Sequence, residues 1–345
     1  MPECNSAPPM VDNPQLLVPL LKKRQRLNIK NELSKLDAIY VPFKDRIEYV
    51  KTLLDELNSF EGTIYLLPTG GLDLRLFDSI LLRTTQVLAM ENGLYRDFYA
   101  NLLTSKHRHT KRYSAAWDLP MKRNFVIQHA LKMGYEKILL MDDDIRSVNK
   151  RCLAIGTDCL KDYVLAGCFV EEFLDTSVLG HLEKAAGEHI NPFLSGSFLF
   201  VRPRGVSGFF PCLYNEDWLF MIPHIMNGSI CSFGSIRQVE FDPFNDMSRP
   251  LFQEFGEVMI EGLFALLAGK QYEHRHEIRA WSDIISQRRE IIHSLSHRLT
   301  EAKHQKAIAT MLKANNNITP DDCCKFVLDW ETDLESWKDY IGGYK

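Results

Sequence analysis

The chain has 345 residues, of which 45% are hydrophobic and 25% charged, and its formal net charge at pH 7 is −4. This composition is typical of a globular protein that is long enough for one large domain or two ordinary ones. The slightly acidic balance excludes the broad basic face of a nucleic-acid-binding protein and any strong attraction to an anionic membrane. Apolar runs such as "KILLM" and "FLFV" have the length of strands, so no membrane span is expected.

The N-terminal residues combine proline with acid where a signal peptide has basic and then apolar residues, which predicts a cytoplasmic protein. The eight cysteines fit that compartment, because none forms a CxxC pair and Cys323 is adjacent to Cys324. We expect buried or idle thiols and no structural zinc site. Residues 1–35 are interpreted as a loose segment followed by a lead-in helix.

A β-α-β unit is predicted directly after this segment. The short run "AIYVPF" has the pattern of a strand, "DRIEYVKTLLDELNSF" has helical apolar spacing, and "TIYLLPTGG" is a second strand closed by a turn. Such a unit implies a parallel sheet with a right-handed crossover. A helix "DLRLFDSILLRTTQVLAM" and a basic loop at 106–112 are predicted to follow.

Three consecutive carboxylates end the next predicted strand. The helical run "MKRNFVIQHALKMG" leads into "KILLM", and Asp142, Asp143 and Asp144 come directly after it. Their mutual repulsion is unfavourable unless a positive charge lies nearby, and open α/β sheets bind ligands at this end of a strand. A divalent cation with a phosphorylated ligand is one interpretation, and a solvated acidic turn is the alternative.

The second half is predicted to continue the α/β pattern and then to become helical. A Gly/Ser turn in "NPFLSGSFLFVRP" enters a strand, "YNEDWLFMIPHI" follows, and "SICSFGSIRQVEF" precedes a helix "GEVMIEGLFALLAGK". We expect one α/β domain over residues 36–280 and a helical extension over 281–345. The amphipathic extension either covers a pocket, forms a homo-oligomer interface or simply packs against the domain.

Four motifs in this order resemble the GT-A glycosyltransferases, particularly those of family 2. The motifs are "YVPFKDR", "KRNFVIQHALKMGYEKILLMDDD", "LSGSFLFVRP" and "YNEDW". The resemblance implies a Rossmann-like, mostly parallel sheet flanked by helices. It also implies a transfer from a nucleoside diphosphate sugar, by default a UDP-sugar, to a small or soluble acceptor with Mn²⁺ or Mg²⁺ as cofactor. A Gln-x-x-Arg-Trp motif is not evident, which argues against a polymer synthase.

The resemblance assigns donor and metal contacts to specific positions. Asp144 is expected to ligate the metal, with His274 completing the site and His276 as the other candidate. Asp142 is expected to accept from the ribose hydroxyls, whereas Asp143 could simply shape the turn. The other expected donor contacts are Phe43, Asp45, Arg46, Arg123 and Asn124, with Lys122 and Asp118 as weaker candidates. Asp45 could instead cap the following helix.

An inverting transfer requires a base to take the proton of the attacking hydroxyl. The resemblance implies that the Glu-Asp motif supplies this base, with Asp217 as the base and Glu216 as its orienting partner or as the alternate base. A Glu-Asp pair also suits the start of a helix. Gly196 and Ser197 are expected to contact the acceptor, and Trp218 either stacks on a sugar or packs in the core.

Three other functions fit some of the same residues. A retaining GT-A enzyme would share the donor site. A haloacid-dehalogenase-like phosphatase would use Asp142 as its nucleophile, but its motif normally opens the domain. A catalytically inactive sugar-nucleotide-binding module is the non-enzyme alternative. A nucleotidyltransferase would need a glycine-rich loop after the first strand, and "VPFKDR" lacks one.

Overall fold

The computed structural model describes residues 22–23, 35–69, 84–88, 94–111, 118–171, 177–189 and 194–344. Within these ranges nine strands form one sheet, in the order β1-β9-β7-β8-β5-β2-β3-β4, with β6 paired to β9. Only β6 and β8 run against the common direction, so the described sheet is mostly parallel, as predicted. The strands are β1 Lys22–Lys23, β2 Ala38–Phe43, β3 Thr63–Pro68, β4 Thr85–Val87, β5 Ile138–Met141, β6 Ile145–Arg146, β7 Leu165–Glu171, β8 Leu194–Val201 and β9 Ile230–Gln238.

Helices cover the sheet and form the C-terminal part of the described chain. They are α1 Ile47–Glu56, α2 Leu94–Asn101, α3 Arg108–Lys111, α4 Asp118–Lys132, α5 Lys150–Cys159, α6 Val178–Ala185, α7 Glu216–Met226, α8 Arg249–Ala268, α9 Ile278–Arg298, α10 Ala302–Asn315 and α11 Pro320–Gly342. Short 3₁₀ turns occupy Thr104–Lys106, Pro203–Gly205 and Tyr272–His276. None of the described helices is both long enough and apolar enough to cross a membrane.

Both faces of the sheet are buried, which explains why its central strands are continuously apolar. Ile39 and Val41 of β2 pack on one face with α1 and α5. Ala38 and Tyr40 point to the other face, where α4, α7 and α8 share their core with α9 and α11. A smaller apolar cluster joins α6 to α9 and α10. The predicted fold class, an α/β sheet flanked by helices with a helical C-terminal part, is therefore confirmed.

The strand directions determine which residues meet at the edge of the sheet that carries the acidic turn. Because β2, β5 and β7 are parallel and β8 is antiparallel to β5 and β7, the chain leaves Phe43, Met141 and Glu171 at the edge where β8 begins. The acidic turn after Met141 and the residues around Gly196 consequently lie side by side. Their adjacency is direct, since the Asp142 amide donates to the Ser197 carbonyl over 2.8 Å.

Several local predictions are wrong in instructive ways. Thr85–Val87 lies within a predicted helix but forms β4, because parallel pairing with β3 overrides the helical spacing. Lys22–Lys23 of the predicted lead-in helix pairs with β9 as a strand. The rest of residues 1–34, and residues 73–83 and 89–90 of the other predicted helix, lie outside the described residues. Gly196 and Ser197 lie inside the buried strand β8, not in a turn.

The thiols behave as expected in the part of the chain that the structure describes. None of the seven described cysteines forms a disulfide with another described cysteine, six of them are buried, and Cys152 is partly exposed.

Candidate active site

Arg46 bridges two of the three consecutive aspartates. It is the N-cap of α1, directly after β2, and its guanidinium reaches the turn that follows β5. Its Nε donates to Asp143 Oδ2 over 3.0 Å, its Nη2 also pairs with Asp143, and its Nη1 donates to Asp144 Oδ2 over 3.1 Å. The positive charge that the acidic turn requires is therefore supplied in part by the protein itself.

A second arginine connects the acidic turn to the predicted catalytic pair. Arg123 on α4 is buried, and its Nη2 donates to both carboxylate oxygens of Asp142 at 3.1 Å. Its Nη1 donates to Glu216 Oε1 at 2.9 Å, and its guanidinium lies over the Phe210 ring at 5.7 Å from the centroid. Residues from α4, the β5 end and the start of α7 therefore meet at one point.

The Asp217 carboxylate is fixed by backbone donors next to this arginine. Its Oδ2 accepts from the Gly196 amide over 2.6 Å, and its Oδ1 accepts from the Trp218 amide over 3.0 Å. A Cβ at position 196 would lie 2.7 Å from Arg123 Nη1 and 2.8 Å from Asp217 Cβ. Glycine is needed here because β8 passes so close to both side chains.

Crowded, buried carboxylates change their protonation equilibria. Burial raises the pKa of Asp143 to about 7, with Asp144 and Asp142 adding to the rise and Arg46 opposing it. Burial also raises the pKa of Glu216 to about 8, although Arg123 opposes this. The pKa of Asp142 is raised for the same reason. Two guanidinium groups therefore do not neutralise the cluster fully, and a bound cation would be favoured there.

Three buried polar atoms at this edge have no hydrogen-bond partner within the described residues. They are Asp144 Oδ1, Ser197 Oγ and Arg123 Nε. Such atoms are uncommon in proteins because each costs desolvation energy, and a ligand, an ion or an ordered water can satisfy each of them. No three His, Cys, Asp or Glu side chains among the residues described converge on one metal position.

A buried lysine holds the neighbouring end of β2. Lys122 Nζ donates to the Phe43 carbonyl over 2.7 Å and lies 3.0 Å from Thr69 Oγ1 and 2.9 Å from Asp118 Oδ2. Burial lowers its pKa, although Asp118 opposes this. Phe43 is itself buried. Lys122 and its three partners therefore support the loop that carries Arg46. From the sequence, Lys122 was only a weak candidate for the donor site.

Three other predicted site residues have different surroundings. Both amide atoms of Asn124 are bonded to the Phe210 backbone, at 2.7 and 2.8 Å. Asp45 is exposed and does not cap α1, whose N-cap is Arg46. Trp218 lies edge-on to Phe264 with 5.3 Å between ring centroids. The structure does not bring Asn124 or Trp218 into the acidic cluster through these contacts.

The histidines at 274 and 276 lie on the 3₁₀ turn and not on an extended strand. The turn closes with hydrogen bonds from the His274 amide to Gln271 and from the Glu277 amide to His274. His274 Nδ1 pairs with Glu277 Oε1 at 2.7 Å, and His276 Nε2 lies 3.3 Å from Glu331 Oε2. The turn packs against α8, α9 and α11, and both rings contact glutamates of the helical region, Glu277 at the N-cap of α9 and Glu331 on α11.

One site residue was missed from the sequence. Asn215, the N-cap of α7, has the left-handed backbone angles φ 63° and ψ 33°. Its side chain donates to Glu257 on α8 over 2.6 Å. The "YNEDW" motif contains this asparagine, and asparagine tolerates the left-handed region better than most residues, so the residue type was a usable signal.

Comparison with known protein families and with curated proteins finds no match for this chain. Solved structures do match. A protein described as a nucleotide-diphospho-sugar transferase from Desulfovibrio desulfuricans is 11% identical, with a TM-score of 0.37 over 76% of this chain and 98% of that one. Mouse xyloside xylosyltransferase 1 is 12% identical, with a TM-score of 0.37 over 57% of this chain and 84% of that one.

A 4-diphosphocytidyl-2C-methyl-D-erythritol synthase from Anaerococcus prevotii is 8% identical, with a TM-score of 0.36 over 59% of this chain and 90% of that one. Two of these three structures are described as sugar transferases, the class that the motifs resemble. At these TM-scores the matches carry no argument about what this protein does, and its function has to be argued from the site.

Proposed function

We propose that this protein is a nucleotide-sugar-dependent glycosyltransferase, with a UDP-sugar as the default donor and a small or soluble molecule as acceptor. The observation that carries the proposal is the convergence of Arg46, Arg123 and the three aspartates with Asp217 at the carboxyl edge of the sheet. This cluster offers anion-binding guanidinium groups, unpaired buried polar atoms and a fixed carboxylate at one place.

The residues present fit a divalent cation at one position in particular. Asp144 Oδ1 is buried and unpaired in the described structure, whereas both oxygens of Asp142 and of Asp143 are engaged by arginines. Asp144 would therefore be the protein ligand of Mn²⁺ or Mg²⁺, which both favour oxygen donors. When bound, the cation supplies Lewis-acid stabilisation of the diphosphate.

Asp217 is the proposed general base. Its two backbone hydrogen bonds fix the direction of the carboxylate, and each oxygen retains a lone pair for the acceptor. In the proposed step the acceptor hydroxyl gives its proton to Asp217 while its oxygen forms a bond to the anomeric carbon. The bond from that carbon to the diphosphate oxygen breaks, and the nucleoside diphosphate leaves with the electron pair. Direct displacement inverts the anomeric configuration.

Arg123 and Glu216 orient the site in this proposal. Arg123 bonds Asp142 on the donor side of the site and Glu216 beside the proposed base. One buried guanidinium therefore contacts both the donor side and the acceptor side of the site. The same geometry disfavours the phosphatase alternative, because a nucleophilic Asp142 would have to attack with both oxygens already bonded to Arg123. A retaining transfer would use the same donor contacts and is distinguished by the configuration of the product.

The test combines donor binding with transfer. Thermal stability is measured with a panel of nucleoside diphosphates and nucleotide sugars, with and without Mn²⁺, since a ligand of the folded state raises the melting temperature. The donor that raises the melting temperature is then incubated with candidate acceptors, and sugar transfer is measured by analysis of the products. We expect Asp144→Asn to abolish the Mn²⁺-dependent shift. We expect Asp217→Asn to keep the shift and to lower kcat by about 10²- to 10⁴-fold.

Asp321→Asn is the matched control, because Asp321 also lies in the first turn of a helix, α11, but is exposed. It should leave both measurements unchanged. No shift with any nucleotide, together with phosphate-ester hydrolysis that requires Asp142, would refute the proposal in favour of a phosphatase. A nucleotide shift without transfer to any acceptor and without effect of Asp217→Asn would indicate a binding module.

A further inference from the structure

A fully buried arginine ties the C-terminal helices to α8. Arg288 on α9 donates through Nε and Nη2 to Glu254 over 2.8 and 2.9 Å, and through Nη1 to Glu261. Its Nη2 also lies 3.6 Å from Glu257 Oε2. Asn315 at the end of α10 donates to the same Glu254 over 3.0 Å. All three guanidinium nitrogens are therefore satisfied by carboxylates of one helix.

This buried network extends to the start of the helix that carries the proposed base. Glu257 Oε1 accepts from Asn215 Nδ2 over 2.6 Å, and Asn215 is the N-cap of α7. A second contact reinforces the junction, because a Cβ on Gly256 would lie only 2.3 Å from the Tyr214 carbonyl oxygen. Helix α8 is thus in direct contact with the two residues that precede Glu216.

The conformation of Asn215 determines where α7 begins. A non-glycine residue in the left-handed region is strained, and it persists only where the surroundings hold it. Two residues later, Asp217 accepts from the Gly196 amide at 2.6 Å. Release of the Asn215 side chain would let the first turn of α7 relax, and the Asp217 carboxylate would lose its fixed position against β8.

We propose that Glu257 and Arg288 are positioning residues that hold Asp217 in place through the left-handed cap Asn215. The helical C-terminal region thereby acts on the reaction without contacting the substrate. This inference rests on the proposed function, in that Asp217 is taken as the base of a sugar transfer. The positioning itself is a property of the fold and can be measured without any substrate.

Two alanine variants separate positioning from general stability. Glu257→Ala and Glu261→Ala each remove one carboxylate near Arg288, but only Glu257 contacts Asn215. We expect Glu257→Ala to lower kcat by about 10- to 100-fold, because small misplacements of a catalytic group have effects of this size. The KM for the donor should stay within about twofold, since Arg46, Arg123 and Asp144 are untouched. Glu261→Ala should retain kcat within about twofold.

The conservative variant provides a rescue. Glu257→Gln keeps an oxygen that accepts from Asn215 Nδ2 and loses only the negative charge, so it should restore most of kcat. Equal kcat values for the Glu257→Ala and Glu261→Ala variants, or a Glu257→Gln variant as slow as Glu257→Ala, would overturn the inference.

Hydrogen exchange makes the test independent of the reaction. We expect faster amide exchange in peptides that cover residues 213–226 and 194–199 for Glu257→Ala than for Glu261→Ala, both compared with the native protein. If the wild-type protein transfers no sugar, the proposed function fails, and the exchange difference alone decides the positioning inference. Unchanged exchange in these two segments would overturn it, whether or not the protein is active.

Discussion

Arg123 and Arg288 are the buried arginines among the described residues, and both are surrounded by carboxylates. Arg288 uses Nε, Nη1 and Nη2, and its glutamates are bonded further to Asn215 and Asn315. Arg123 leaves its buried Nε without a hydrogen-bond partner among the described residues, as do Ser197 Oγ and Asp144 Oδ1 at the same edge of the sheet. The first cluster is therefore complete, whereas the second is open on one side.

This difference distinguishes a structural ion network from a candidate binding site. A complete network has no polar atom left for a ligand, so its contribution is to the fold. An incomplete network at the edge of a sheet leaves desolvated polar atoms that a ligand, an ion or water can satisfy. The raised pKa values of Asp143 and Glu216 are consistent with this reading, since both carboxyls lie in the open cluster.

The largest effect on stability is expected from Arg288→Met. The substitution leaves Glu254, Glu257 and Glu261 without their common partner, and the loss of one side of a buried ion network costs about 3–5 kcal/mol. The measurement is urea-induced unfolding of the native and variant proteins near neutral pH.

Arg123→Met tests whether the Arg123 cluster differs from the structural ion network around Arg288. It removes a buried arginine of the same size, but the remaining Asp142 and Glu216 have raised pKa values and can take up protons. We expect a smaller cost of about 1–3 kcal/mol, together with loss of the nucleotide-dependent thermal shift. An unfolding free energy reduced equally by both substitutions would contradict the contrast between the two clusters.

A second, smaller effect is expected in the pH dependence of stability. Burial raises the pKa of Glu216 from 4.5 to about 8, so between these values the folded protein holds a proton that the unfolded chain has released. Stability from this group is therefore present at low pH and is lost as pH rises through that window. Relative to Glu216→Gln, the native protein should lose on the order of 1–3 kcal/mol between about pH 5 and pH 8.

Urea unfolding at several pH values checks this, with the exposed Glu335→Gln as the control. The Glu335→Gln variant should follow the native curve. An identical slope for the Glu216→Gln and native proteins would show that Glu216 titrates without cost and that the cluster is not under electrostatic strain.

Local patterns predicted the parts of this molecule that depend on local physics. The β-α-β unit, β5 and the long helices follow from apolar periodicity, and the carboxyl edge follows from strand direction. The partners across the sheet could not be predicted in this way. Asp143 was expected to shape the turn at most, yet it is buried and both of its oxygens bond to Arg46, which is 97 positions away in the sequence. Only the register of β2 against β5 brings them together.

The errors have the same origin. Gly196 was predicted in a turn because glycine and serine favour turns, but its small size serves a close approach of β8 to Arg123 and Asp217. Residues 85–87 were predicted helical, but an available edge of β3 made them a strand. In each case a contact distant in sequence decided the conformation.

The smallest effect on stability is expected from Arg46→Ala, although Arg46 also bonds two carboxylates. Its side chain is 49% exposed, whereas that of Arg288 is 0% exposed, and a solvent-screened ion pair contributes about 0–1 kcal/mol. Nucleotide binding should be affected more than stability, because the Arg46 guanidinium faces the acidic turn where the diphosphate is proposed to bind. We expect urea unfolding within about 1 kcal/mol of the native protein and loss of the nucleotide-dependent thermal shift.

Arg146→Ala is the matched control for this last substitution. Both guanidinium groups lie 5.1 Å from the centroid of the Tyr49 ring, but Arg146 donates to the backbone carbonyls of Asp143 and Ile145 and not to a carboxylate. The Arg146→Ala variant should retain the nucleotide shift. If Arg46→Ala destabilised the protein as much as Arg288→Met, Arg46 would belong to the structural network, and the open cluster would lose its donor-binding arginine. If Arg46→Ala and Arg146→Ala lost the nucleotide-dependent thermal shift equally, nucleotide binding would depend on the stacking of arginine on Tyr49 and not on the contact of Arg46 with Asp143 and Asp144.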